Sequence, residues 1–184
     1  DPDLMKTAPE RYRPAAKGLF AGATPPLVDA VLLSHSHPDH SRFLSDIHPD
    51  IPIYMSEGTR TTMQALSVFL SQRMLTDNVR ILQASPPTPV RIGDFLIEPV
   101  PVDHSAPDAL AFILQSQGKT CVYSGDFRAH GRNTKLFDGL IQRCPHPVDT
   151  LLLDGTMVGS HRDAALCPYE HDLEEAIVKH IQTE

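Results

Sequence analysis

Apolar residues in this chain fall into short runs whose spacing changes along its length. Residues 1–27 carry Pro2, Pro9, Pro14, Pro25 and Pro26 and sustain no period, which predicts an irregular lead-in with room for one short helix. Val28–Leu33 (VDAVLL) is a bulky apolar run that stops at a cluster of Ser, His and Pro, the profile of a buried strand entering a functional loop. Ile51–Met55 reads as a second such strand. Ser56 can cap a helix, and the apolar positions Met63, Leu66, Phe69, Leu70 and Met74 that follow share one helical face, predicting a helix over Glu57–Leu75.

Beyond Asn78 the period shortens to two. Val79–Leu82, Val90–Ile92 and Phe95–Val102 read as strands, separated by prolines and by a turn at Gly93-Asp94. Ala109–Gln115 and Thr120–Tyr123 flank the short Gly-containing connection Ser116-Gln117-Gly118-Lys119 and predict a β-hairpin. Thr134–Arg143 is a helix with Leu136, Phe137, Leu140 and Ile141 on one side, and Thr150–Leu153 (TLLL) a buried strand ending in Asp154-Gly155-Thr156. A last helix is expected over Tyr169–Ile181, with acids near its start. Strand runs mixed with amphipathic helices, with no internal repeat, predict one layered domain of the α/β or α+β class. Both ends read as cut points of a longer polypeptide, because the last helix runs straight to Glu184 and no strand pair opens the chain.

Composition narrows the function classes. With 184 residues, 41% of them hydrophobic, the chain can bury roughly 70% of its unfolded surface without disulfides. A net charge of -7 argues against a protein that coats nucleic acid or anionic lipid with its whole surface. Cys121, Cys144 and Cys167 form no CxxC pair, which excludes a cysteine-rich zinc module. Without a long apolar run or a basic-then-apolar leader, the sequence is expected to be soluble and cytoplasmic, with no membrane partner. The unusual count is histidine, at 10.

Three of those histidines stand in Ser34-His35-Ser36-His37-Pro38-Asp39-His40, at the end of a predicted strand, where open α/β sheets present ligand sites. In extended backbone His35 and His37 point to the same side and can reach one metal ion. Asp39 and His40 lie past the bend at Pro38 and can serve a second. Imidazole with carboxylate and no thiolate suits a catalytic site for a metal such as zinc. The competing reading is a polar loop whose histidines cap a helix at Asp39 or stay solvated. Two further strand ends offer donors, Asp103-His104-Ser105 and Gly125-Asp126-Phe127. Either alone is weak, since a strand-end His is commonly structural and a Gly-Asp commonly a turn; beside the HxHxDH cluster both fit vacant coordination positions.

The series HxHxDH, strand-end His and strand-end Gly-Asp resembles the metallo-beta-lactamase-fold hydrolases. PVDHSAPDALAFIL, CVYSGDFRAHGR and DTLLLDGT, in that order, are most similar to the ribonuclease J and beta-CASP branch. The resemblance runs from about Val28 to the C-terminal helix. It implies an αββα sandwich, incomplete at both ends: residues 1–27 as lead-in and 28–184 as a partial metallo-beta-lactamase domain. It also implies that His35, His37 and His104 hold one zinc ion, that Asp39, His40 and Asp126 serve a second with Asp126 bridging, and that Asp154 is the motif acid of the beta-CASP series. The family's opening Gly-rich strand pair with its Asp has no counterpart in residues 1–27. Its final histidine is expected beyond Glu184, since His130, His146, His161, His171 and His180 do not match its position; His161 and His171 read as loop or surface residues.

The activity expected is phosphodiester hydrolysis by two Zn(2+) ions about 3.5–4 Å apart that activate a hydroxide for in-line attack at phosphorus. Asp39 is the candidate to orient or deprotonate the attacking water. Asp103, Asp154 and backbone carbonyls are candidate acceptors for the outer imidazole nitrogens. Arg128, His130, Arg132 and Lys135 follow Asp126 closely, so Arg128 and Arg132 are candidate phosphate contacts, with pairing to acids such as Asp138 as the competing expectation. RNA as the substrate follows from the resemblance. A thioester or other carbonyl hydrolase on the same metals, a non-catalytic scaffold, and association as a homodimer all stay open.

Overall fold

The computed structural model describes residues 15–22, 25–159 and 168–183. The readings of residues 1–14, of His161 and of Cys167 lie outside the described residues. In chain order the elements are β1 (Val31–Leu32), α1 (Pro38–Ser41), a 3-10 turn (Leu44–Asp46), β2 (Ile53–Met55), α2 (Glu57–Phe69), β3 (Val79–Ile81), β4 (Val90–Ile92), β5 (Phe95–Pro101), β6 (Leu110–Ser116), β7 (Lys119–Tyr123), α3 (Lys135–Arg143), β8 (Thr150–Leu152) and α4 (Glu170–Thr183).

They build two sheets. β1, β2 and β3 run parallel in that order, with Val31 opposite Ile53 and Ile53 opposite Val79. β4 to β8 form the second sheet in sequence order, antiparallel except where β8 lies parallel to β7. Period-two alternation decides which side chains enter which layer. On β6, Leu110 and Phe112 join Ile97, Leu82, Leu32 and Tyr54 in the core between the sheets. Ala109, Ala111 and Ile113 face the other way, toward Val100, Val122 and Leu140 of α3. On β2, Ile53 and Met55 turn outward onto Met63 and Leu66 of α2. Helix, sheet, sheet and helix therefore stack as an αββα sandwich, as the resemblance implies.

Local chemistry accounts for the element ends. Ser56 Oγ accepts from the Thr59 N–H at 3.2 Å and starts α2. The β6–β7 hairpin turns on Gln117 and Gly118, both at positive φ, the backbone that a two-residue turn matched to strand twist requires. A backbone bond from the Leu110 N–H to the Ser34 carbonyl at 2.9 Å ties the second sheet to the segment that leaves β1.

Two expectations, the extent of α2 and the burial of the TLLL strand, are corrected, and the structure places the apolar faces of α3 and α4. The α2 helix stops at Phe69 rather than Leu75: Ser71 adopts positive φ, and Phe69 is 86% exposed, so the apolar stripe ends at Leu66. On α3, only Leu140 is buried, and Ile141 faces solvent. The TLLL strand is not buried. It is the outermost strand of its sheet, and Leu151, Leu152 and Leu153 are each more than half exposed. On α4 no residue is buried, leaving Leu173, Ile177 and Ile181 exposed. Among the described residues no helix is long and apolar enough to cross a membrane.

Candidate metal centre

The SHSHPDH segment leaves β1 in extended form through Ser36. At His37 it becomes the N-cap of α1, with Pro38 in the first turn, where its missing N–H costs nothing. The turn carries Asp39 and His40 past the bend and brings the His40 ring to 4.2 Å from that of His35. His104 follows β5 and Asp126 follows β7, so the centre draws on three strand ends, one in the first sheet and two in the second. Gly125 makes the approach of the last loop feasible: it sits at φ +56, and a Cβ there would come within 2.9 Å of the Leu110 carbonyl and of Ser34 Cβ.

The side chains converge. His104 Nε2 lies 3.0 Å from His37 Nδ1 and 3.8 Å from Asp126 Oδ2, and His35 Nε2 lies 3.8 Å from the same carboxylate oxygen. Asp126 Oδ1 is 3.3 Å from His40 Nε2, which is 3.5 Å from Asp39 Oδ2. Donor atoms of His35, His37, His104 and Asp126 lie within 4.8 Å of one another, as do those of Asp39, His40 and Asp126. Asp126 is the member common to both groups. All six residues expected at the centre thus meet in one place.

The surroundings of His35 and His104 favour lone pairs over protons. His35 is fully buried, and burial, followed by His40, His104 and His37, pushes its pKa from 6.5 down to about 3. Burial and then His37 lower that of His104 as well. Ser34 Oγ lies 3.0 Å from His35 Nδ1; when that nitrogen donates to the hydroxyl, Nε2 carries the free lone pair. His35 Nε2 is buried and has no hydrogen-bond partner. A buried acceptor without a partner is costly, and a cation at that point satisfies it. The donor set therefore fits a divalent ion of the imidazole-and-carboxylate kind.

The remaining candidates are placed differently. Asp154 lines an open cleft of about 510 Å³ with His40, Asp126 and Leu151–Leu153. Burial raises its pKa, but hydrogen bonds from the Thr156 N–H and hydroxyl outweigh that and hold it below the usual range. Asp103 accepts from Arg128 Nε at 3.3 Å and from the Asn133 N–H at 3.0 Å. Arg128 also pairs with Glu170, and Arg132 with Glu174 at 2.5 Å. Both arginines are thus engaged by acids, though not by Asp138. Sequence reading missed Ser34 and Ser105, whose hydroxyls lie 3.0 Å from His35 Nδ1 and 3.4 Å from His37 Nε2. Their adjacency to ligand-type histidines in SHSH and DHS was the available hint.

A family profile described as "Beta-lactamase superfamily domain" matches residues 2–180. The chain belongs to the beta-lactamase superfamily. In this superfamily the metallo-beta-lactamase fold carries metal-dependent hydrolases, and the histidine and aspartate cluster lies at its strand ends. The chain is 30% identical over 101 residues to "Ribonuclease J" of Sinorhizobium meliloti, covering 54% of this chain and 17% of that protein. It is 31% identical over 137 residues to "Ribonuclease J" of Mycobacterium tuberculosis, covering 70% of this chain and 24% of that protein. A crystal structure of a protein of unknown function from Enterococcus faecalis superimposes with a TM-score of 0.77 at 24% identity, over 97% of this chain and 47% of the other, and shares the fold. This superfamily chain spans less than a quarter of the length of those ribonuclease J relatives.

Proposed function

We propose that the centre holds two zinc ions and hydrolyses phosphodiesters, with RNA as the substrate. The observation that carries this reading is the convergence of four imidazoles and two carboxylates from three loops around Asp126, with the buried His35 Nε2 left without a partner. His35, His37 and His104 would hold one ion and Asp39 and His40 the other, with Asp126 between them. Such ions supply an acidified water and neutralise charge at phosphorus.

The protein's own groups do the rest. Asp39 is solvent-facing, with Oδ2 3.5 Å from His40 Nε2, and takes or orients the proton of the attacking water. Ser34 fixes the His35 tautomer, and the cleft beside Asp126 and Asp154 admits the scissile group. The similarity to proteins named ribonuclease J supports RNA. Arg128 and Arg132 are not assigned to substrate in this reading, because Asp103, Glu170 and Glu174 already neutralise them.

The test is metal content and turnover of the full-length protein and its His37→Ala variant. Two zinc ions per chain with cleavage of bis-p-nitrophenyl phosphate and of RNA are expected, both lost in the variant with the fold kept. Thioester turnover without phosphodiester cleavage would move the chemistry to a carbonyl, RNA binding without turnover would make the protein a scaffold, and unchanged metal content in the variant would remove the ligand assignment.

A further inference from the structure

Asp103 and Arg128 flank two members of the centre without belonging to it: Asp103 precedes His104, and Arg128 stands two residues after Asp126. The loop after Asp126 folds back onto Asp103 at three points. The Arg128 N–H donates to the Asp103 carbonyl at 2.9 Å, Arg128 Nε to Oδ1 at 3.3 Å, and the Asn133 N–H to Oδ2 at 3.0 Å. The Asp103 side chain is only 9% exposed, so its carboxylate oxygens depend on these donors for their hydrogen bonds. Gly131 leaves room for the arrangement, since a Cβ there would lie 2.1 Å from Asp103 Oδ2 and 2.5 Å from Arg128 Nε. On its other side Arg128 pairs with Glu170, whose second carboxylate oxygen accepts from the Arg132 N–H at 3.2 Å and whose own N–H donates to the His130 carbonyl at 3.0 Å.

We infer that Arg128 is a positioning residue of the metal centre: held between Asp103 and Glu170, it fixes the spacing of the His104 and Asp126 loops and ties the first turn of α4 to them. The inference rests on the metal-centre reading and deepens it. Two adjacent loops without such a clamp can part by fractions of an ångström, and metal affinity is sensitive to that freedom, since groups behind the ligands commonly contribute 10–100-fold. A guanidinium suits the task because its planar fork can engage two carboxylates at once, which a lysine ammonium cannot do with fixed geometry.

The experiment is a cobalt(II) titration of the metal-free full-length protein, read by visible absorption, with thermal melting of the same metal-free samples. Arg128→Met is expected to weaken cobalt binding 10–100-fold and to alter the band shape, while the metal-free melting temperature moves by no more than a few degrees. Arg128→Lys should recover only part of the affinity. Gly131→Ala retains every charge but displaces the Asp103–Arg128 pair, and is expected to behave like Arg128→Met. Glu170→Gln should give a smaller loss and remains informative if Arg128→Met fails to fold. Unchanged affinity and spectrum in Gly131→Ala and in either Arg128→Met or Glu170→Gln would overturn the inference. So would affinity losses that merely follow loss of metal-free stability. A wild-type protein that takes up no cobalt would instead sink the metal-centre reading itself.

Discussion

β6 and β8 lie in the same sheet, separated by one strand, and are equally rich in apolar side chains, yet they live in different surroundings. β6 is paired on both edges and covered on both faces, with Leu110, Ala111 and Phe112 each no more than 1% exposed. β8 pairs only with β7, and Leu151 and Leu152 are 58% and 52% exposed. The difference separates two ways of holding a site. The loops of His35, His104 and Asp126 are anchored in packed sheet. The β8–α4 side is joined to the centre by hydrogen bonds and ion pairs, such as the bond from the Asp154 N–H to Ser124 Oγ at 2.9 Å.

The contrast is most directly broken by truncation. Phe112→Ala should cost about 3–5 kcal/mol in urea unfolding, from lost burial plus the cavity left behind, whereas Leu152→Asn should change stability by less than about 0.5 kcal/mol. Equal costs would mean that β8 is covered after all. Acid gives the next effect. Unfolded His35 titrates near 6.5 and folded His35 near 3, so between these values the unfolded chain binds the extra proton. Metal-free stability should therefore be complete above about pH 6.5 and fall as pH drops toward 3, by up to about 4–5 kcal/mol, with His104 adding in the same direction. A pH series of urea midpoints in a chelator measures this, and His35→Asn should flatten it. The smallest effect is at Asp108, which adopts positive φ and accepts from the Gly58 N–H at the start of α2 at 2.9 Å, pinning the His104 loop to that helix. Asp108→Ala should cost about 1–2 kcal/mol, while Asp108→Asn, which tolerates that backbone and keeps an acceptor, should recover most of it.

Against the sequence, the six donors were legible because four of them are packed into HxHxDH and the other two close strands whose alternation is plain. A layered domain followed from the mix of strand runs and amphipathic helices, and its αββα order from the family resemblance. The exposure of β8 was not legible, because an apolar run states that a surface can be covered and says nothing of what covers it. For a related reason phosphate contact and pairing with acids both stayed open for Arg128 and Arg132. The acids that claim them, Asp103, Glu170 and Glu174, lie 25 to 42 residues away along the chain and meet them only in the fold. Ser34 and Ser105 were in plain view, but serine is too common beside histidine to single out without the distances.

The bond from the Leu110 amide to the Ser34 carbonyl marks a seam, with His35, His37 and His40 on one sheet's side and His104 and Asp126 on the other's. Slippage along that seam would pull the donor groups apart and shear the core that Leu32 and Tyr54 share with Leu110 and Phe112. An ion seated across it would act as a rivet, so that loading the centre and resisting shear between the two halves become a single equilibrium.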